Sequence, residues 1–252
     1  TETEPRVAVL NAADPRLAAF DLPPSLRVIW FNDEDGWHLR DSELFHGRHR
    51  VMDTRGLPLP GRHNRMNLCA ALAALEALGM DAEALAPHAF SFRPLPHRLQ
   101  SLGARDGIEF VNDSISTTPF ASIAALDCHK GRRIAILVGG YDRGLDWGAF
   151  AERMVLDPPK AVIAMGQNGP RIYEKLKQIA VNNHFVLAEA KEMEDALRLG
   201  REVLESEGII MLSPGAPSFP RYRSYVERGR HFAKVAGFDP SSISAIPGLG
   251  VG

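Results

Sequence analysis

From about residue 99 onward, short β-rich runs alternate with segments of helix length, and that alternation leaves few folds open. The runs are Gly107 to Val111, Arg133 to Val138, Ala161 to Met165, His184 to Leu187 and Gly208 to Leu212, each bounded by Gly, Pro, Asp or Asn. Strands joined by helix-length crossovers pair in parallel and carry helices on both faces, so an α/β architecture is expected. From Ala190 to Leu204, the residues Met193, Ala196, Leu197, Val203 and Leu204 recur near helical spacing among Lys, Glu and Arg. This spacing predicts an amphipathic covering helix, mildly weakened in its middle by Gly200.

The residues before 99 have another texture. Val7 to Leu10 predicts one inner strand, and the segments Leu26 to Phe31 and Trp37 to Leu39 predict a small antiparallel sheet or hairpin set. After Pro58-Leu59-Pro60-Gly61, the residues Leu68, Leu72, Leu75 and Leu78 stripe one face of a helix that Gly79 would end, and Asp81 is placed to cap a second one. Pro94 and Pro96 break any helix, so the chain is expected to divide into 1–95 and 96–252. The first part supplies only a partial core and reads as a piece of a larger domain.

Composition narrows the function classes. Apolar residues make up 45% of the 252 and charged ones 24%, with a formal charge of -2, which argues against disorder and against a general nucleic-acid-binding surface. The two cysteines, Cys69 and Cys128, have neither disulfide-framework nor zinc spacing and are expected in the core of a reduced, cytoplasmic protein. The histidines show no metal-ligand spacing, so no metal site is expected from this chain's own residues. No apolar run approaches the roughly 18 residues of a membrane span, and the first residues do not read as a signal peptide.

In an open parallel sheet, ligands bind beyond the carboxyl ends of the strands, and three of those ends are unusual here. The first is Asn112-Asp113-Ser114-Ile115-Ser116-Thr117-Thr118-Pro119, where Thr118 and Pro119 match an N-cap followed by proline at the first helical position. Asp113 and Ser114 are either ligand contacts or ordinary loop caps. The second, Gly139-Gly140-Tyr141-Asp142-Arg143-Gly144, is similar to a phosphate loop but lacks the Lys-Ser/Thr that should follow. Its Arg143 suits a planar carboxylate or phosphate, or is a solvated surface arginine. The third runs from Ser213 to Pro220 into Arg221, Tyr222, Arg223, Tyr225 and Arg228, which is either an anion site at a helix start or a turn feeding a basic surface helix. In the first part, Asn64 either reads an adenine edge or caps the Leu-striped helix.

Taken in order, Gly61-x-His63-Asn64-x-x-Asn67, Leu95-Pro96-His97-Arg98, Asn112-Asp113-Ser114, Gly139-Gly140, Leu212-Ser213-Pro214 with Ser218, and Arg228-Gly229 resemble the Mur ligase family over essentially the whole chain. The resemblance implies the end of a central ATPase domain, residues 1–95, followed by a Rossmann-like glutamate-binding domain, residues 96–252. It implies an ATP- and Mg2+-dependent ligase that joins glutamate to UDP-N-acetylmuramoyl-L-alanine in peptidoglycan synthesis, with the phosphate loop and most magnesium ligands upstream of this chain and the chain inactive alone. Carried over residue by residue, Asn64 and Asn67 would contact adenine, Asp113 the ribose and Arg98 the phosphates, Arg98 being the candidate catalytic group. Ser114, Thr117, Arg143, Ser218 and Tyr225 would line the glutamate pocket.

The glutamate-adding pattern is also departed from. It carries lysine where this chain has Ile115, asparagine where it has Thr118, lysine where it has Arg143 and aspartate where it has Pro220. An arginine fork in place of a lysine point charge moves the preferred carboxylate position. The variant loop is similar to a branch that includes L-glutamate-adding enzymes, so L-glutamate is the expected isomer. A D-glutamate-adding ligase, a non-catalytic amino-acid-binding module and a folylpolyglutamate-type relative are the alternatives.

Overall fold

The computed structural model describes residues 6–241 and 243, which form two compact units that divide between Arg93 and Pro94. In the first unit, five strands lie in sequence order: β1 (Val7–Asn11), β2 (Arg27–Phe31), β3 (Trp37–Arg40), β4 (Glu43–His46) and β5 (His49–Asp53). The expected antiparallel set is corrected to a mixed sheet, because β1, β2 and β3 run parallel and only β3, β4 and β5 form antiparallel hairpins. β1 sits at one end of this order rather than inside it. A single turn of helix, α1 (Pro15–Ala18), connects β1 to β2.

The Leu-striped helix is α2 (Arg62–Ala77), and its buried residues Cys69, Leu72 and Ala73 pack with Trp37, Leu44 and Met52 of the sheet. Gly79 follows it at φ 78°, the left-handed position that glycine occupies freely. Asp81 caps α3 (Ala82–Leu85) by accepting the Ala84 amide at 3.1 Å. Cys69 is fully buried, and burial pushes its thiol up to about 12, so it is inert.

The second unit holds a six-stranded sheet in the order β10-β9-β8-β11-β7-β6. Its strands are β6 (Gln100–Arg105), β7 (Ile108–Asn112), β8 (Ile134–Val138), β9 (Ala161–Met165), β10 (Val186–Ala190) and β11 (Gly208–Leu212). All neighbours are parallel except β6, which folds back on β7. Every residue of β8, β9 and β11 is buried, so these strands read as continuous apolar runs. Ile134, Ile136 and Val138 face one way, into α4 (Pro119–Cys128), α5 (Gly148–Leu156) and α6 (Gly169–Asn183). Ala135 and Leu137 face the other way, into α7 (Met193–Leu204) and α8 (Tyr225–Ala236). Each fully buried Ile or Leu contributes about 1.5–3 kcal/mol relative to exposure, which is why the two-sided pattern dictates the sheet.

Four local expectations change. β6 was unforeseen, since Ser101-Leu102-Gly103-Ala104 has no β-branched residue and a bulge at Ser101/Gly103 interrupts its alternation. The signal for it was Asp106-Gly107, whose φ angles of 53° and 79° make the tight turn of a hairpin. The strand expected at His184 starts instead at Val186, because α6 runs to Asn183 and His184 closes it in the left-handed conformation at φ 56°. Gly200 is a packing requirement rather than a weakness: a Cβ there would stand 3.2 Å from the Ile210 side chain, so the glycine lets α7 approach the sheet. Cys128, expected in the core, is only half-buried at the end of α4.

Candidate functional site

Strands β8 and β11 are neighbours whose outgoing chains leave in opposite directions, β8 through α5 towards β9 and β11 through α8 towards β7. Where adjacent strands diverge in this way, a crevice opens at their carboxyl ends. The loops that follow are locked together by backbone: Gly139 N donates to Pro214 O at 2.7 Å and Tyr141 N to Pro217 O at 2.9 Å. The glycines permit this approach, since a Cβ on Gly139 would stand 2.1 Å from Met165 O and one on Gly140 2.4 Å from Pro217 O. The Gly139-Gly140 run, which is similar to a phosphate loop in sequence, is thus explained by close packing of backbones.

Asn168, buried after β9, adds a side-chain tie by accepting the Gly140 amide at 2.8 Å. It escaped the sequence reading, although Gly166-Gln167-Asn168 is a fourth polar strand end. A crevice remains among Gly140, Tyr141, Gln167, Ser218, Tyr222 and Arg228. The exposed ring of Phe219 meets Tyr141 edge-on at its rim, with centroids 6.1 Å apart.

Arg228 is the centre of the arrangement. It lies on α8 and is only 3% exposed, which does not fit the alternative of a basic surface helix at this position. Its Nε donates to Ser114 Oγ at 3.1 Å, and its two terminal nitrogens donate to Ser114 O at 2.8 Å and Ala216 O at 2.9 Å. One guanidinium therefore ties the loop after β7 to the loop after β11. Burial lowers its pKa to about 10, partly offset by Tyr222 and Asp113. The neighbouring arginines are committed elsewhere, Arg221 to Glu192 and Arg223 to Glu227.

Asp113 and Ser114 follow β7, and both are buried. Asp113 accepts the Leu99 amide at 3.1 Å and the Ser213 hydroxyl at 2.8 Å. Ser114 donates its hydroxyl to Tyr225 O at 2.8 Å, so that oxygen serves the scaffold. Thr118 does occupy the N-cap of α4 with Pro119 at the next position, but its side chain makes no capping bond. Thr117 and Arg143 are exposed, Ser218 and Arg98 half-buried, and Tyr225 partly exposed. The guanidinium groups of Arg98 and Arg143 make no hydrogen bond or ion pair with the described residues. Seven of the nine candidates thus belong to this unit, and of these Ser218 lines the crevice; Asn64 and Asn67 lie on α2 of the other. Asn64 is not the N-cap, which is Gly61, but donates to Pro60 O at 2.7 Å, and Asn67 is exposed.

Burial raises Asp113 to about 6 from 3.8, against smaller opposing effects of Ser213, Leu99, Arg98 and Arg228. A folded-state value above the unfolded one means that the fold favours the protonated acid. Stability is therefore greatest below about 3.8 and is lost as pH rises through about 6. Asp113→Asn keeps one acceptor and one donor at this place without the charge. Its stability advantage over the wild type is expected to grow by about 3 kcal/mol between pH 4 and pH 8. Parallel pH profiles in urea unfolding would refute this.

No protein-family model matches the chain. Curated relatives do. A UDP-N-acetylmuramoyl-L-alanine--L-glutamate ligase of Xanthomonas oryzae pv. oryzae is 58% identical over 252 residues, covering 100% of this chain and 54% of that protein. Another of the same name, from a Micromonospora species, is 37% identical over 245 residues, covering 92% of this chain and 52% of that protein. The chain belongs to the Mur ligase family. It spans about half the length of the curated relatives it matches. Solved Mur ligases share its fold: MurF from Thermotoga maritima, in complex with ADP, has a TM-score of 0.58 at 15% identity, covering 92% of this chain and 53% of that one. MurC from the same organism has a TM-score of 0.54 at 19% identity, covering 77% and 43%. No described helix of this Mur ligase chain is long and apolar enough to cross a membrane.

Proposed function

We propose that this chain is the nucleotide- and glutamate-handling part of an ATP-dependent amide ligase that joins glutamate to UDP-N-acetylmuramoyl-L-alanine, with L-glutamate as the amino acid. The observation that carries this reading is the 58% identity along all 252 residues to a ligase named for L-glutamate. The family assignment and the strand-end crevice support it.

A carboxylate resists attack by an amine, so the reaction first transfers a phosphoryl group from ATP to the alanyl carboxylate, releasing ADP. The glutamate amine then attacks the acyl phosphate, and inorganic phosphate leaves from the tetrahedral intermediate. In this reading Asn64 and Asn67 contact the adenine, Asp113 the ribose and Arg98 the phosphates. Arg98 fits that task, since its guanidinium is unclaimed by the described residues. Asp113 retains acceptor capacity, because a carboxylate offers about four lone-pair sites and two are in use here. Magnesium would neutralise the phosphates; among the described residues no three His, Cys, Asp or Glu side chains are grouped to hold a metal ion.

Arg143, Thr117, Ser218 and Tyr225 line the glutamate pocket, Ser114 shaping it from beneath through its bond to Tyr225. Arg143→Ala removes a charge-assisted hydrogen bond to the γ-carboxylate worth about 1.5–3 kcal/mol, so the glutamate KM of the intact enzyme is expected to rise roughly tenfold or more. An unchanged KM would remove Arg143 from the pocket. The reading as a whole is tested by phosphate release with ATP, magnesium and UDP-N-acetylmuramoyl-L-alanine, with L- and D-glutamate in parallel. Turnover with D-glutamate alone would overturn the L assignment, and turnover with neither would overturn the ligase.

A further inference from the structure

The segment that carries Arg98 is held in a backbone conformation that its own residues disfavour. His97 and Leu99, on either side of Arg98, have φ angles of 64° and 45°. The left-handed region costs a non-glycine residue about 1–2 kcal/mol, and such residues persist where their surroundings over-determine them. Here the surroundings do so. His97 N donates to Gln100 Oε1 at 3.0 Å, its carbonyl accepts the Ile115 amide at 3.2 Å, and Leu99 N donates to Asp113 at 3.1 Å.

The side chain of His97 is fixed as firmly. The amide oxygen of Asn112 accepts Ser114 N at 3.1 Å, so its nitrogen is the atom turned to His97 Nδ1, at 2.9 Å. That nitrogen can only donate; Nδ1 must therefore be bare, and a neutral ring carries its proton on Nε2. The ring is 1% exposed, and burial holds its pKa below the ordinary range. At this same edge of the ring α8 approaches through Gly229, where a Cβ would stand 2.2 Å from Nδ1 and 2.9 Å from the Asn112 nitrogen. The Tyr225 ring meets the imidazole edge-on, with centroids 5.9 Å apart.

We infer that His97 is a positioning residue: its imidazole, held at its Nδ1 edge by Asn112 and packed there against Gly229, sets the place of Arg98 and of Tyr225 together. The importance of those two places rests on the ligase reading above. Through this clamp the phosphate-facing arginine and the glutamate-facing ring share one support. Loss of the imidazole is therefore expected to impair the use of ATP and of glutamate alike, where loss of Arg143 would impair glutamate alone.

The test uses the intact enzyme. His97→Ala removes the acceptor and is expected to lower kcat/KM for both ATP and glutamate, on the order of 100-fold each, as a displacement of about 1 Å would. His97→Asn tolerates the left-handed backbone and offers Oδ1 near the place of Nδ1, so it should recover most of both values. Unchanged constants in the alanine variant, or an asparagine variant no better than alanine, would overturn the inference. Should the alanine variant fail to fold, the asparagine variant still decides. Nitrogen NMR of the wild-type imidazole, recorded without substrates, is independent of the ligase reading: a bare Nδ1 and a protonated Nε2 are expected, and a protonated Nδ1 would sink the clamp. A wild type with the expected tautomer but no ligase activity would overturn the functional reading alone.

Discussion

Gly139→Ala is expected to destabilise the unit from Pro94 onward by about 3–5 kcal/mol. Two costs combine. Gly139 has φ 105°, outside the range that alanine adopts readily, and an added Cβ would stand 2.1 Å from Met165 O and 3.0 Å from Asn168 Oδ1. Because the nearest obstacle is backbone, relief requires the loops after β8 and β9 to separate. For a unit of this size each kcal/mol lowers Tm by about 2–4 °C, so a fall on the order of 10 °C is expected in thermal unfolding. Gly144 supplies the control: it has φ 71° but open space around its Cα, so Gly144→Ala should cost only about 1 kcal/mol. Equal effects at the two sites would show that conformation, and not close approach, is what Gly139 provides.

Arg228→Met should separate activity from stability. Removing the guanidinium orphans Ser114 O and Ala216 O, at about 1–3 kcal/mol each. Against this, a group that burial holds at about 10 rather than 12.5 is uncomfortable there, and its removal returns about 3 kcal/mol. The net loss of stability is therefore modest, about 3 kcal/mol or less. Activity should respond far more, because the loops that bear Ser114 and Ser218 lose their common anchor. We expect kcat/KM for glutamate to fall on the order of 100-fold in the intact enzyme, with Arg228→Lys intermediate because a point charge cannot serve both carbonyls. Full activity in the methionine variant would show that packing alone sets the loops.

The parts of this fold that could be read from sequence are those where burial leaves one solution. β9 and β11 match their expected ends, since a strand covered on both faces is a continuous apolar run with Gly or Pro beside it. β6 was hidden because an edge strand needs no such run, and its turn residues Asp106 and Gly107 were the better sign. The parallel pairing of Phe31 with Trp37 was equally hidden, since alternation shows that a strand exists and not which way its neighbour runs.

In the crevice, the residues that touch solvent were legible as polar strand ends, whereas those that hold the loops were not. Arg228 stood in the sequence as one of several arginines at a helix start, and only the structure shows which one is buried. Gly139 and Gly140 looked like a weak phosphate loop, because a backbone approaching a phosphate and a backbone approaching another backbone require the same residue. His97 stood in the sequence as part of a recognisable string, with nothing to mark its left-handed backbone.

A sheet edge is a template for any extended chain that reaches it, and a crowded cell supplies many. Among the described residues β6 is such an edge, six residues long and paired with a strand on one side only. The bulge at Ser101/Gly103 breaks the regular spacing of its free N–H and C=O groups, and Gly103 bends there at φ 110° with the Phe238 ring 3.3 Å from where a Cβ would be. A strand arriving from another molecule would find its register interrupted after two residues. The irregularity that hid β6 from the sequence reading therefore also protects the protein from growing into a fibre through that side.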